Sequence, residues 1–297
     1  VYIATEGPLG YNALNAAKQL DLPVISGFHT HFDTYAKAYG LSWLRPLVAR
    51  YLERFHNRCD ATLASSETLY TQIRELGINN IQNISRGIDT AQFNPKFRDP
   101  ALRQEWGVAD GQRVVLFVSR LAPEKNPALL FRAFKKMRHS APWLKLVVVG
   151  DGPVREKYQR EHPEVHFCGA RIGEELSRHY ASADLFIFPS LSETYGLVVA
   201  EAMASALPVI GFDYAAPASL IETGVNGWLV PFGDEDAFIK AAVKAGQTPE
   251  PGLMLMRERA YETAQSLSWS DCLDDLEQIL HNSLNGASHA PAYATPQ

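Results

Sequence analysis

Cysteine is scarce in this chain. Only three occur in 297 residues, Cys59, Cys168 and Cys272, far apart and outside any metal-ligand spacing. That excludes a disulfide-stapled scaffold or a zinc ribbon and fits reduced thiols in a cytoplasmic protein. Long apolar runs are missing too: none approaches the roughly 18 residues of a membrane-spanning helix. No signal-peptide pattern is visible. Excess positive charge is absent, and a net charge of −5 argues against a general nucleic-acid binder. There is no internal repeat of fixed period and no complete three-glycine dinucleotide fingerprint.

What is present is a chain of 46% hydrophobic and 21% charged residues, enough to bury sizeable cores. Its length suggests about two domains. Apolar strands alternate with helices, the signature of parallel sheets and an α/β class. In the first part, strands are expected at Val1–Ala4, Pro23–Phe28, Ala61–Ala64 and Ile81–Ser85. A turn at Gly7–Gly10 leads into a helix near Tyr11–Leu20, and a long helix covers Leu44–Asn57. Val1–Ala4 reads as a central strand. A parallel sheet should not begin with nothing beside it, so upstream strands are expected to be missing. In the second part, strands are expected at Val114–Val118, Leu144–Val149, Val165–Cys168, Leu185–Phe188, Val209–Ile210 and Trp228–Val230. The expected division is a partial first domain over 1–103, joined by a C-terminal helix over 268–286. A second domain covers 104–267, and a disordered tail covers 287–297.

The richest segment is Ser192-Glu193-Thr194-Tyr195-Gly196-Leu197-Val198-Val199-Ala200-Glu201. It follows a buried strand and runs into a helix, so it lies at a strand's carboxyl end, where open α/β sheets bind ligands. Glu193 falls in the loop and Glu201 a turn and a half into the helix. The first helical N–H groups, near Gly196, Leu197 and Val198, suit a phosphate. Carboxylates accept hydrogen bonds from sugar hydroxyls and repel phosphate. Together these parts describe a site for a sugar joined to a phosphate.

Three further segments are read with their plainer alternatives. Arg120 and Lys125 follow another buried strand, where two cations suit a diphosphate. A solvated charged loop accounts for them about as well. Gly150 and Gly152 in Gly150-Asp151-Gly152-Pro153 allow close backbone approach to a ligand, yet the same residues make an ordinary turn. His29 ends the strand Val24–Phe28 and is placed to touch a reacting sugar. A structural histidine is favoured roughly two to one on its own. His31 and Asp33 invite a metal, but no third ligand is evident nearby, so none is assigned.

With these residues in order, the chain resembles the retaining glycosyltransferases of the GT-B fold. The matching segments include Gly27-Phe28-His29-Thr30, Ser85-Arg86-Gly87-Ile88-Asp89, Ser119-Arg120-Leu121 with Glu124-Lys125, Gly150-Asp151-Gly152-Pro153 and the two glutamates with Gly196-Leu197. Ala206–Ile210 and Gly224–Val230 match downstream. The segment His29–Tyr35 and the Ser-Arg-Gly-Ile-Asp turn look most like GDP-mannose-dependent α-mannosyltransferases acting on glycolipids.

The resemblance implies two Rossmann-like parallel-sheet domains facing a cleft, the first truncated at its N-terminus. It implies hexosyl transfer, mannosyl by the nearer likeness, from a nucleotide diphosphate sugar such as GDP-mannose to a lipid or glycan acceptor. Arg120 and Lys125 would hold the diphosphate, and Glu193 the sugar hydroxyls. Glu201 would bind the ribose, Gly196, Leu197 and Val198 the phosphate, and His29 the sugar near its reacting carbon. No cofactor or metal is expected beyond the donor substrate, and no nucleic acid. The implied location is the cytoplasm, with peripheral contact at the inner membrane face. An epimerase on the same fold and a non-catalytic sugar-nucleotide-binding protein are the rival expectations.

Overall fold

The computed structural model describes residues 1–28, 45–84 and 86–284. His29, Ser85 and the expected tail lie outside the described residues, as do His31 and Asp33. The chain divides into two compact units, 1–87 with 268–297, and 88–267. The sequence reading put the boundary at 103. Residues 88–103 instead pack with the second unit, because Arg98 and Arg103 both pair with the buried Asp184.

The first unit holds four parallel strands in the order β1 (Tyr2–Ile3), β2 (Ile25–Gly27), β3 (Ala61–Ala64) and β4 (Ile81–Asn83). β1 covers the middle of the strand expected over Val1–Ala4. It is two residues long and, among the described residues, pairs only with β2. The helix expected from Tyr11 begins earlier, at Pro8. Proline at the first helical position loses no hydrogen bond, so the Gly7–Gly10 segment becomes the helix's first turn. The helix Trp269–Leu284 belongs to this unit. Its Ile279 packs with Ile25, Ala61 and Leu63 from the sheet.

A buried histidine marks this unit. His56 is fully enclosed, hydrogen-bonded from Nδ1 to Ser26 Oγ at 2.9 Å, and flanked by the rings of Phe28 and Phe55. Among the described residues its Nε2 has no hydrogen-bond partner. Burial lowers its pKa to about 4.

The second unit is a six-stranded, wholly parallel sheet. Its strands are β5 (Arg113–Val118), β6 (Leu144–Val149), β7 (His166–Gly169), β8 (Leu185–Phe188), β9 (Val209–Phe212) and β10 (Gly227–Val230). They lie in the order β10-β9-β8-β5-β6-β7. Successive side chains on a strand face opposite ways, and the core splits accordingly. Val114, Leu116 and Val118 of β5 join one cluster, with Phe186 and Phe188 of β8 and Val199 and Met203 of the helix Leu197–Ala204. Val115 and Phe117 join the other, with Leu185, Ile187 and the helix Pro127–Ser140. Strands buried on both faces need continuous apolar runs, which is why these segments stand out in the sequence.

His56 predicts how the first unit responds to acid. Its folded pKa lies below the unfolded value of about 6.5, so the unfolded chain binds more protons between the two values. The stability is present above about pH 6.5 and is lost as pH falls toward 4, by about 3 kcal/mol. Hydrogen-exchange protection of β2 and β3 should drop over that window, and His56→Gln should flatten the dependence. An unchanged slope in the variant would show that His56 is not the titrating group.

Candidate active site

The strand order reverses between β5 and β8. From β5 the chain steps outward to β6 and β7; it then returns to β8 on the other side and steps outward to β9 and β10. Loops that leave the carboxyl ends of two such neighbours diverge and open a crevice, the favoured ligand site of open α/β sheets. Arg120 and Lys125 lie in the loop after β5. Glu193 and Gly196 lie in the loop after β8.

These loops are tied to each other. Leu191 N–H donates to Glu124 O at 3.1 Å, and Lys125 Nζ donates to Ser192 O at 3.1 Å. Lys125 Nζ also meets Glu193 Oε1 at 2.5 Å. The side chains of this ion pair are only 17% and 14% exposed, so solvent screens them weakly. Tyr214 Oη donates to Glu193 O at 3.1 Å and fixes the backbone beneath the carboxylate. Arg120, about half exposed, pairs with Glu124. Burial pushes the Glu124 carboxyl up, but its own backbone N–H, Arg120 and Lys125 together hold it below the usual carboxylate range.

Gly150 and Gly152 follow β6. The Cβ of an alanine at Gly150 would sit 1.9 Å from Ser119 O, and one at Gly152 2.3 Å from Leu121 O. What these glycines admit here is the backbone of the β5 loop. Leu121 N–H donates to Asp151 O at 2.8 Å, and Val154 N–H to Leu121 O at 3.3 Å. The loops after β5, β6 and β8 thus form one joined surface.

Gly196 caps the helix Leu197–Ala204 with φ of 94°, a left-handed conformation that favours glycine. Leu197 and Val198 then present the first N–H groups of that helix. One turn further, Glu201 points inward and Tyr180 Oη donates to its Oε2 at 2.7 Å. Tyr180 is completely buried, and burial, then the Glu201 charge, push its phenol well above its ordinary pKa. Burial likewise raises Glu201, against the hydrogen bond from Tyr180, which lowers it. Sequence reading missed Tyr180 and Tyr214. Each lies 21 residues from the glutamate it touches, and only the sheet brings them together. Among the described residues no group of three His, Cys, Asp or Glu stands close enough to hold a metal ion.

The model for glycosyl transferases group 1 matches residues 112–247, and that for glycosyltransferase family 4 matches residues 1–92. The chain belongs to the GT-B glycosyltransferases. It is 36% identical over 244 residues to a GDP-mannose-dependent alpha-mannosyltransferase of Corynebacterium glutamicum, covering 82% of this chain and 58% of that one. It is 31% identical over 278 residues to an alpha-monoglucosyldiacylglycerol synthase of Streptococcus pneumoniae, covering 88% and 62%. The chain thus spans about three fifths of the length of these relatives. Among solved structures, Anabaena HepE in complex with UDP and glucose superposes with a TM-score of 0.75 at 21% identity, over 96% of this chain and 77% of that one.

The Tyr180–Glu201 bond predicts a pH-dependent effect. Tyr180→Phe should cost about 1–3 kcal/mol at neutral pH by leaving a half-buried carboxylate without its donor. Losing the bond raises the folded pKa of Glu201 further, so the native state binds the proton more tightly than the unfolded chain does. The deficit should therefore shrink as pH falls from 8 toward 5. Urea unfolding of parent and variant across that range tests this, and a deficit independent of pH would refute it.

Proposed function

We propose that the protein moves a hexosyl group, mannosyl in preference to others, from a nucleotide diphosphate sugar to a lipid or glycan acceptor with retention at the anomeric carbon. GDP-mannose is the donor this reading favours, supported by the likeness to the Corynebacterium enzyme. A glycolipid acceptor is supported by the likeness to the pneumococcal alpha-monoglucosyldiacylglycerol synthase. On this reading the protein works in the cytoplasm and touches the inner membrane face from outside the bilayer; among the described residues no helix is long and apolar enough to cross a membrane.

The observation that carries the proposal is the meeting of Lys125 with Glu193 across the β5/β8 switch point. It supports a reading in which a cation for the leaving group stands beside a carboxylate for the sugar. In the proposed step, the bond from the anomeric carbon to the diphosphate oxygen breaks and its electron pair goes to the diphosphate. Lys125 and Arg120 stabilise that charge, as do the N–H groups of Leu197 and Val198. Such preorganised groups lower the barrier because they need no rearrangement as the charge develops. The acceptor hydroxyl attacks on the face the diphosphate leaves, and its proton passes to a departing phosphate oxygen. Glu193 accepts hydrogen bonds from sugar hydroxyls and keeps Lys125 aimed at the phosphate. Glu201, held by Tyr180, accepts from the ribose. Gly150 and Gly152 keep the donor loops close together. His29 is assigned to the donor sugar on the family resemblance alone.

Lys125→Ala should cut turnover of GDP-mannose with a glycolipid acceptor by about ten- to a thousandfold. Glu193→Gln should mainly slow turnover, whereas Glu201→Gln should mainly weaken nucleotide affinity. Steady-state kinetics beside calorimetry with GDP separates these effects. Near-normal turnover in a folded Lys125→Ala variant would sink the diphosphate assignment.

A further inference from the structure

At the opposite, amino-terminal edge of the six-stranded sheet lies an open pocket of about 530 Å³. Its wall is built from the residues that lead into three strands: Arg113 at β5, Trp143 before β6 and Asp184 before β8. Arg98, Arg103 and Arg257 complete its charged lining, with Glu250 at the rim. The volume falls in the range of small-molecule sites. None of these residues takes part in the donor site.

The charges do not balance. Four arginines face two carboxylates. Asp184, whose side chain is only 6% exposed, is the shared partner of three of them. Its Oδ1 accepts from Arg98 at 2.7 Å and Arg257 at 3.4 Å. Its Oδ2 accepts from Arg103 at 2.9 Å and from Val114 N–H at 2.7 Å. Two oxygens with two bonds each exhaust what a carboxylate accepts well. Arg257 holds the longest of these contacts, and its Nε donates to Ala206 O at 3.2 Å. Burial lowers its pKa; Asp184 and Glu250 oppose this, while Arg98 and Arg103 add to it. Arg113 is matched by Glu250, whose side chain is 57% exposed and free to swing into solvent.

We propose that this pocket binds a small phosphorylated molecule, with its phosphoryl group on Arg257 and Arg113 and its body against the part-exposed ring of Trp143. A phosphoryl dianion cancels the net excess of two positive charges in the pocket lining. Arginine's planar fork suits its oxygens, and an indole face suits the apolar face of a sugar ring.

The test uses the full chain carrying both Arg120→Ala and Lys125→Ala, which disables the cations of the other phosphate site. Calorimetry is run with inorganic phosphate and with glucose 1-phosphate, in chloride buffer of matched ionic strength. Saturable binding of glucose 1-phosphate is expected. Arg257→Gln should weaken it about tenfold or more. Glu250→Gln, an exposed change that removes a competing carboxylate, should tighten it by up to about fivefold. Trp143→Ala should weaken glucose 1-phosphate and leave inorganic phosphate unchanged. No saturable heat up to millimolar ligand would overturn the proposal, as would affinities indifferent to both charge variants. Equal affinity for the two ligands, unmoved by Trp143→Ala, would overturn the role of the indole. Because the donor-site cations are already removed, none of these results depends on the glycosyltransfer reading.

Discussion

An all-parallel sheet must return every connection across one of its faces, so the loops that follow its strands gather along a single edge. Where strand order reverses, two of those loops part. In the second unit that happens once, between β5 and β8. The rest of the site depends on this parting. It puts Lys125 and Glu193, 68 residues apart in sequence, in contact at 2.5 Å. The apolar strands that force the sheet are therefore also what place the polar groups.

Each carboxylate near this edge is held differently, and the differences suit different tasks. Glu193 is paired with a cation. Glu124 is kept charged by its own backbone N–H and by Arg120. Glu201 receives a neutral phenol instead, and burial leaves it easier to protonate. A group bonded to a neutral donor keeps acceptor capacity for hydroxyls, as the proposed ribose contact requires. At the far edge of the same sheet, Asp184 shows the opposite economy: one buried carboxylate shared among three guanidinium groups.

Much of the fold was legible in the sequence because parallel strands buried on both faces leave unbroken apolar runs. Val114–Val118 and Leu185–Phe188 were read to within a residue of their observed bounds. Of the strand expected over Val1–Ala4, Tyr2–Ile3 pairs with β2. The boundary at 103 was misplaced because a salt-bridge anchor such as Arg98 to Asp184 spans 86 residues and leaves no local pattern. Glycine spacing pointed to the loop after β6 but not to what the glycines meet, which is the backbone of Ser119 and Leu121. Tyr180 had no signal near Glu201. The family's motifs supplied the candidate residues, and the tertiary fold supplies the bond between Lys125 and Glu193 that no motif shows.

If the switch point of the second unit forms the nucleotide site, that unit should bind a nucleotide diphosphate alone. Calorimetry with GDP on isolated residues 88–267 tests this most directly. The account predicts saturable binding that Lys125→Ala weakens. A folded domain that shows no binding of GDP would contradict it.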